Sequence, residues 1–205
     1  MINKQAITKE EIHSILKNRW SPRAFSGDAV ENYKLVRMFE AARWSPSASN
    51  EQPWSFMLGI KGDETYQKIF ETLVEFNQLW AQTAPVLVLT CGRTMSLKYA
   101  GKPNATFMYD AGQAVANLTF QASADGLFVH QMAGFDTAEA ARVFSLPAEF
   151  VAITVLAVGY IGDPEVLHPN LKKMEYNPRE RRDLSETVFM ENFGKTNSLF
   201  LISPK

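Results

Sequence analysis

Apolar residues recur at helical spacing in five stretches of this chain and run or alternate as strands in four others. Ile12, Ile15 and Leu16 follow Thr8 and Glu11, which fit a capping box, and predict a helix ending near Asn18. Residues Glu31 to Arg43 predict a second helix, with Leu35, Val36, Phe39 and Ala42 on one face and Pro46 as its stop. Trp54 to Ile60 predicts a strand. Glu64 to Gln82 predicts one helix with Ile69, Leu73, Phe76 and Trp80 as its stripe. Pro85 to Thr90 is a continuous apolar run and predicts a strand covered on both faces. Ala105 to Ala124 is apolar nearly all round, which predicts a helix buried centrally or in a subunit interface, ended by Gly126. Leu127 to His130 predicts a short strand, Ala138 to Phe144 a short helix and Val151 to Gly159 a β-branched strand. After Gly162 the chain is rich in proline and charge until Leu199 to Ile202, a terminal apolar strand expected to pair with something distant, another chain included. Short strands interleaved with helices give an α+β domain spanning 1–205.

A chain of 205 residues that is 46% hydrophobic can bury a substantial core. Its net charge of -1 gives no reason to expect general attraction to nucleic acid or membrane, so any positive site must be local. Cys91 is the only cysteine, which excludes an intrachain disulfide. The polar start at Lys4, Lys9, Glu10 and Glu11 and the short apolar runs predict a cytoplasmic protein without a membrane span. His13, His130 and His168 lack metal-ligand spacing.

Local positive charge is found in two places. Arg19-Trp20-Ser21-Pro22-Arg23-Ala24-Phe25 follows the first helix, and Arg179-Glu180-Arg181-Arg182-Asp183-Leu184 lies in the tail. A third segment, Ser45-Pro46-Ser47-Ala48-Ser49-Asn50-Glu51-Gln52-Pro53-Trp54, concentrates hydroxyls and amides between a helix and a strand. Arginine forks match phosphate and the acceptor edge of a ring, and Ser, Asn and Gln fix orientation. These segments suit an anionic, planar ligand with many acceptors, such as a nucleotide cofactor. Solvated surface arginines and ordinary loop-capping serines are the competing structural explanations. No Gly-x-Gly-x-x-Gly fingerprint occurs, so a dedicated dinucleotide site gains no support.

In order and spacing the chain resembles the FMN-dependent nitroreductase family over nearly its whole length. The resemblance is carried by Arg19 to Phe25, Ser45 to Trp54, Gly134-Phe135, Gly159-Tyr160 and Arg179 to Leu184. It implies a central, mainly antiparallel sheet flanked by helices, a homodimer with a C-terminal extension swapped onto the partner, and FMN at the subunit interface. It implies ping-pong transfer of hydride from NAD(P)H through flavin to a small electron-poor acceptor. By the matched positions, Arg19, Trp20 and Ser21 with Arg179 and Arg181 would hold the phosphate side. Arg23 would face the N1 and O2 edge of the ring, where reduction places negative charge. Pro46, Ser47 and Ala48, with Asn50 and Gln52, would come from the partner. Asn77 would reach the pyrimidine edge, and the Gly134 N–H would approach N5. Ala133 stands where many members have Glu, which implies a different second-substrate pocket. Reduction of one specialised metabolite, or FMN storage or sensing without turnover, are the alternatives within the same resemblance.

Overall fold

The chain, described here from a computed structural model over residues 4–197 and 199, is built on one four-stranded sheet. The strands are β1 (Trp54–Ile60), β2 (Val86–Arg93), β3 (Phe128–Met132) and β4 (Phe150–Gly159). Their order is β1-β2-β4-β3, and every pair is antiparallel. Both faces are covered. Leu87, Leu89 and Cys91 of β2 point into one core with α3 (Glu64–Thr72), α4 (Glu75–Ala81) and α6 (Thr137–Val143). Val86 and Val88 point into a second core with α2 (Asn32–Arg43) and α5 (Phe107–Ala124). This explains the apolar run: with period-two geometry and two covered faces, both sets of positions favour apolar residues, Thr90 being the buried polar exception. Each fully buried Leu or Val contributes roughly 1.5–3 kcal/mol relative to exposure.

Two expectations need correction. Thr8 and Glu11 do not begin a helix; α1 (Ser14–Asn18) is only five residues, and the His13 side chain caps it through the Ile15 N–H. The predicted helix 64–82 is two helices, because at Leu73 and Val74 the chain leaves helical geometry to bridge Leu73 to Phe135. Tertiary pairing overrides local propensity there, with no proline or glycine in the sequence to announce it. In α5 one face is buried, through Ala111, Ala114, Val115, Leu118 and Ala122, while Met108 and Tyr109 are exposed.

The tail expected to swap onto a partner folds, over much of its described length, against its own chain. Leu167 and Leu171 are buried in the first core, the latter from α7 (Pro169–Tyr176), and Arg179 donates to the Lys4 and Lys17 carbonyls. The strand expected at 199–202 lies outside the described residues except for Leu199.

The sheet extends past β4 into the cationic segment. Phe25 bridges Ile161, Ser26 N–H donates to the Tyr160 carbonyl at 3.1 Å, and Gly162 N–H donates to the Ala24 carbonyl at 2.9 Å. A Cβ on Gly162 would lie 2.4 Å from the Phe25 carbonyl carbon, which is backbone and cannot turn aside. Gly162→Ala is expected to cost about 1–3 kcal/mol by overpacking, read as a lower urea midpoint with unchanged m-value.

Candidate functional site

The turn after α1 brings Arg19, Trp20, Ser21 and Arg23 to the edge of the sheet beside β3. Trp20 is buried edge-on against Phe128, with ring centroids 6.1 Å apart, and the Lys4 ammonium lies 5.4 Å from its ring centre. Arg19 donates to the Ser21 hydroxyl at 3.2 Å. Two side chains, half-buried His130 and buried Glu175, pin the backbone that follows. His130 Nδ1 lies 2.8 Å from the Pro22 carbonyl; a carbonyl only accepts, so Nδ1 carries the proton. Glu175 of α7 accepts from the amides of Arg23 and Ala24, the latter at 3.2 Å.

The tail adds Arg179 and Arg181. Burial lowers the pKa of the Arg19 guanidinium, and the positive fields of Arg179 and Arg181 lower it further, which places the three side chains in one electrostatic cluster. Arg179 feels the same two influences, burial and then Arg181. A cavity of about 420 Å³ is lined by Arg179, Arg181, Arg182 and Lys9 with Ile7 and Ile12, and also by Glu10 and by Asp183, which pairs with Lys9. Of the nine arginines, Arg37, Arg43, Arg93 and Arg142 are paired with carboxylates. Arg19, Arg23, Arg179, Arg181 and Arg182 form no ion pair among the described residues, and the Arg23 Nε is buried without a partner. Concentrated, uncompensated guanidinium charge is the chemistry of an anion site.

Gly134 follows β3. Its carbonyl accepts from the Val74 amide at 3.1 Å and from the Asn77 side chain at 2.9 Å, while its own N–H has no acceptor among the described residues. A Cβ here would lie 2.7 Å from Asn77 Nδ2 and 3.0 Å from Val74 Cγ2. Within this chain Asn77 therefore holds the Gly134 turn, and Ala133 precedes that turn at the surface.

The loop carrying Pro46, Ser47, Ala48, Asn50 and Gln52 is not brought to these groups. It enters β1 where Trp54 faces Gly92 and Gly92 faces Val151, whereas the arginine segment joins the other end of β4 at Ile161. β1 and β3 are opposite edges of the sheet. Three inter-strand gaps and the ten residues from Val151 in β4 to Ile161 separate the two regions by roughly 35 Å. The loop itself is tightly built. Ser49, Asn50 and Gln52 adopt φ of 52°, 58° and 47°, left-handed values that cost non-glycine residues about 1–2 kcal/mol each. The Ser47 hydroxyl accepts from Gln52 N–H at 3.0 Å, Asp110 accepts from Ala48 N–H at 3.2 Å, and Asn117 donates to Ser45 at 2.7 Å. Buried Glu51 accepts from the Leu97 amide at 2.8 Å and from the Ser96 hydroxyl. Pro46, Ala48, Asn50 and Gln52 face outward, and Trp44 beside them is 73% exposed.

Sequence reasoning missed Glu175, Glu51 and the contact of Asp110 with the loop. Glu175 sits in the charged run Lys172-Lys173-Met174-Glu175, which reads as solvent-facing. Its signal was the helical spacing from Leu171, which puts both on one buried face. Cys91 is buried and its thiol is pushed up to about 11 by desolvation, so it is inert. Among the described residues no group of His, Cys, Asp and Glu is placed to hold a metal, and no helix is long and apolar enough to cross a membrane.

The model of the Nitroreductase family matches residues 16–78 and 60–160. A 15.4 kDa protein of Mycolicibacterium smegmatis, itself uncharacterised, is 33% identical over 150 residues, covering 68% of this chain and 97% of its own. A protein of Archaeoglobus fulgidus carrying the name NADH dehydrogenase/NAD(P)H nitroreductase is 25% identical over 158 residues, 75% of this chain and 87% of its own. A crystal structure of an oxidoreductase containing FMN superposes with a TM-score of 0.88 at 33% identity, covering 96% of this chain and 100% of that one.

His130 yields a test of this packing. Desolvation, with Arg23 and Arg19 nearby, pushes its pKa down to about 4 despite the Pro22 carbonyl. The unfolded chain takes up that proton first, so stability is full above about pH 6.5 and is lost as pH falls towards 4, by up to about 3 kcal/mol. His130→Gln should remove this part of the acid dependence in urea denaturation at pH 7 and pH 5.

Proposed function

This chain belongs to the nitroreductase family, and on that premise we propose that it is an FMN-dependent oxidoreductase. It passes hydride from NAD(P)H to electron-poor acceptors such as nitroaromatics and quinones, with donor and acceptor using one pocket in turn. The observation that carries this reading is the cluster of arginines without carboxylate partners at the positions matched to the flavin. The relative of 33% identity that contains FMN supports it.

The residues fit the cofactor. Arg19, Ser21, Arg179 and Arg181 hold the phosphate, with Trp20 as the buried footing of the turn. Arg179 spends Nη1 on the Lys4 and Lys17 carbonyls, which leaves its Nε and Nη2 protons for the anion. Arg23 would face the N1 and O2 edge of the ring, where its charge would favour the reduced state. Gly134, its carbonyl tied by Val74 and Asn77, would offer its N–H to N5, and Ala133 would leave the adjoining acceptor space without a carboxylate. Asn77 fixes that turn. When bound, FMN supplies the acceptance and release of hydride, and the protein supplies position and field.

Pro46, Ser47, Ala48, Asn50 and Gln52 cover the ring from a second copy of the chain, because their own copy holds them at the opposite corner of the sheet. The exposed apolar residues Val36, Trp44, Met108 and Tyr109, and Val188, Met190 and Phe193 of the tail, supply surface for that homodimer. The part of the tail that swaps is then the stretch beyond Leu184, after the docked α7.

Purified protein is expected to be yellow and to bleach on anaerobic titration with NADH or NADPH, recolouring with menadione. Refusal of both donors would favour storage or sensing, and failure to take up FMN would end the reading. Arg23→Ala is expected to slow flavin reduction at least tenfold while changing FMN affinity less. Light scattering at micromolar concentration should report a dimer; a monomer with full FMN would refute the shared site.

A further inference from the structure

The buried carboxylate of Glu175 is not accounted for by packing. It is 1% exposed, sits on α7 one turn after Leu171, and faces the backbone of the cationic turn. Its Oε1 accepts from two consecutive amides, Arg23 and Ala24, while Oε2 is buried with no partner. The Arg23 Nε is buried without a partner as well. A neutral glutamine would satisfy the two amides equally through its carbonyl oxygen. A carboxylate held here instead adds a negative charge that acts on Arg23 and Lys4. Burial raises the Glu175 carboxyl, and the Arg23 amide, the Arg23 charge and Lys4 draw it back towards ionisation.

We propose that Glu175 is a positioning residue for the flavin site: it fixes the Arg23 backbone and, by partly neutralising the Arg23 guanidinium, sets how strongly the site prefers reduced over oxidised FMN. The inference rests on the reading that Arg23 faces the pyrimidine edge of the ring. A cation beside a ring that gains negative charge on reduction favours the reduced form. A counter-charge behind that cation weakens the preference. Arg23 alone would hold reduced flavin more tightly; the pair holds it less tightly and so returns hydride to an acceptor more readily.

The test is the midpoint potential of bound FMN, measured by anaerobic dye-coupled titration of the holoprotein, alongside FMN affinity and melting temperature. Glu175→Gln keeps the acceptor for the two amides and removes the charge. It should raise the preference for reduced FMN about tenfold, a shift of about 30 mV upward for a two-electron couple. Arg23→Ala should shift the potential downward, and Glu175→Asp, which keeps the charge, should stay within threefold of wild type. An unchanged potential in Glu175→Gln, with only lower melting temperature or FMN affinity, makes Glu175 a purely structural residue and overturns the proposal. If Glu175→Gln does not fold, Glu175→Asp decides: a shift as large as that of Arg23→Ala overturns it. If Arg23→Ala itself leaves the potential unmoved, the placement of Arg23 at the ring fails. An Arg23→Ala shift with an unmoved Glu175→Gln defeats only the role of Glu175.

Discussion

The structure depends on holding several arginines together with no carboxylate in ion-pair contact and only the charge of buried Glu175 acting on Arg23. Two guanidinium groups about 8 Å apart repel by roughly 2 kcal/mol at an effective dielectric of about 20. Burial of Arg19 and Arg179 adds a desolvation cost, visible in their lowered pKa values. Nothing in the overall charge of -1 relieves this locally. The cluster must be imposed by the fold, and the elements around it do that. Gly162 hydrogen-bonds the segment to the end of the sheet, His130 takes the Pro22 carbonyl, and Glu175 takes the two amides that follow. An anion arriving at such a site meets donors already oriented, so the repulsion stored in the free protein becomes binding energy.

The same sheet also shapes the turn at Gly134. Residue 73 leaves α3 to bridge Phe135, and Val74 and Asn77 at the start of α4 hold the Gly134 carbonyl. That break costs helical hydrogen bonds, and it supplies the two donors that hold the Gly134 carbonyl. The alternative, a continuous helix across 64–82, would leave the turn after β3 without its two donors. A Cβ there would displace the Asn77 amide that holds the turn and press on Val74, which is a packing reason to favour glycine. Close approach to a cofactor adds to it and does not replace it.

How far the sequence can be read follows from which interactions are local. Strands β1 and β4 and helix α2 were legible because apolar periodicity and Pro46 act within each element. The split at Leu73 and Val74 was not, since its cause lies sixty residues away at Phe135. Thr8 and Glu11 spell a capping box that the chain does not use; residues 6–12 instead line the arginine cavity, and His13 caps α1. The arginines of the site were legible as a group because two short segments, Arg19 to Arg23 and Arg179 to Arg182, hold five of the nine arginines. Their supports were not. Glu175 lies 152 residues from Arg23 and is camouflaged by adjacent lysines, and only its spacing from Leu171 betrays a buried face.

Assembly and cofactor binding are coupled if the loop 46–52 serves a neighbouring chain. The strain in Ser49, Asn50 and Gln52 is maintained by Asp110, Asn117 and Glu51 within one chain. The loop is therefore shaped before it meets a partner, and the ordering cost of forming the ring-lining surface is already met in the monomer. What remains is to bring two rigid corners together across exposed apolar surface such as Trp44 and Tyr109. A ligand that touches both copies stabilises the dimer by as much as the dimer tightens the ligand, because linkage is reciprocal. On that reading a single chain would offer the arginine turn and the Gly134 turn, and its strained loop would be the part it gives to its partner.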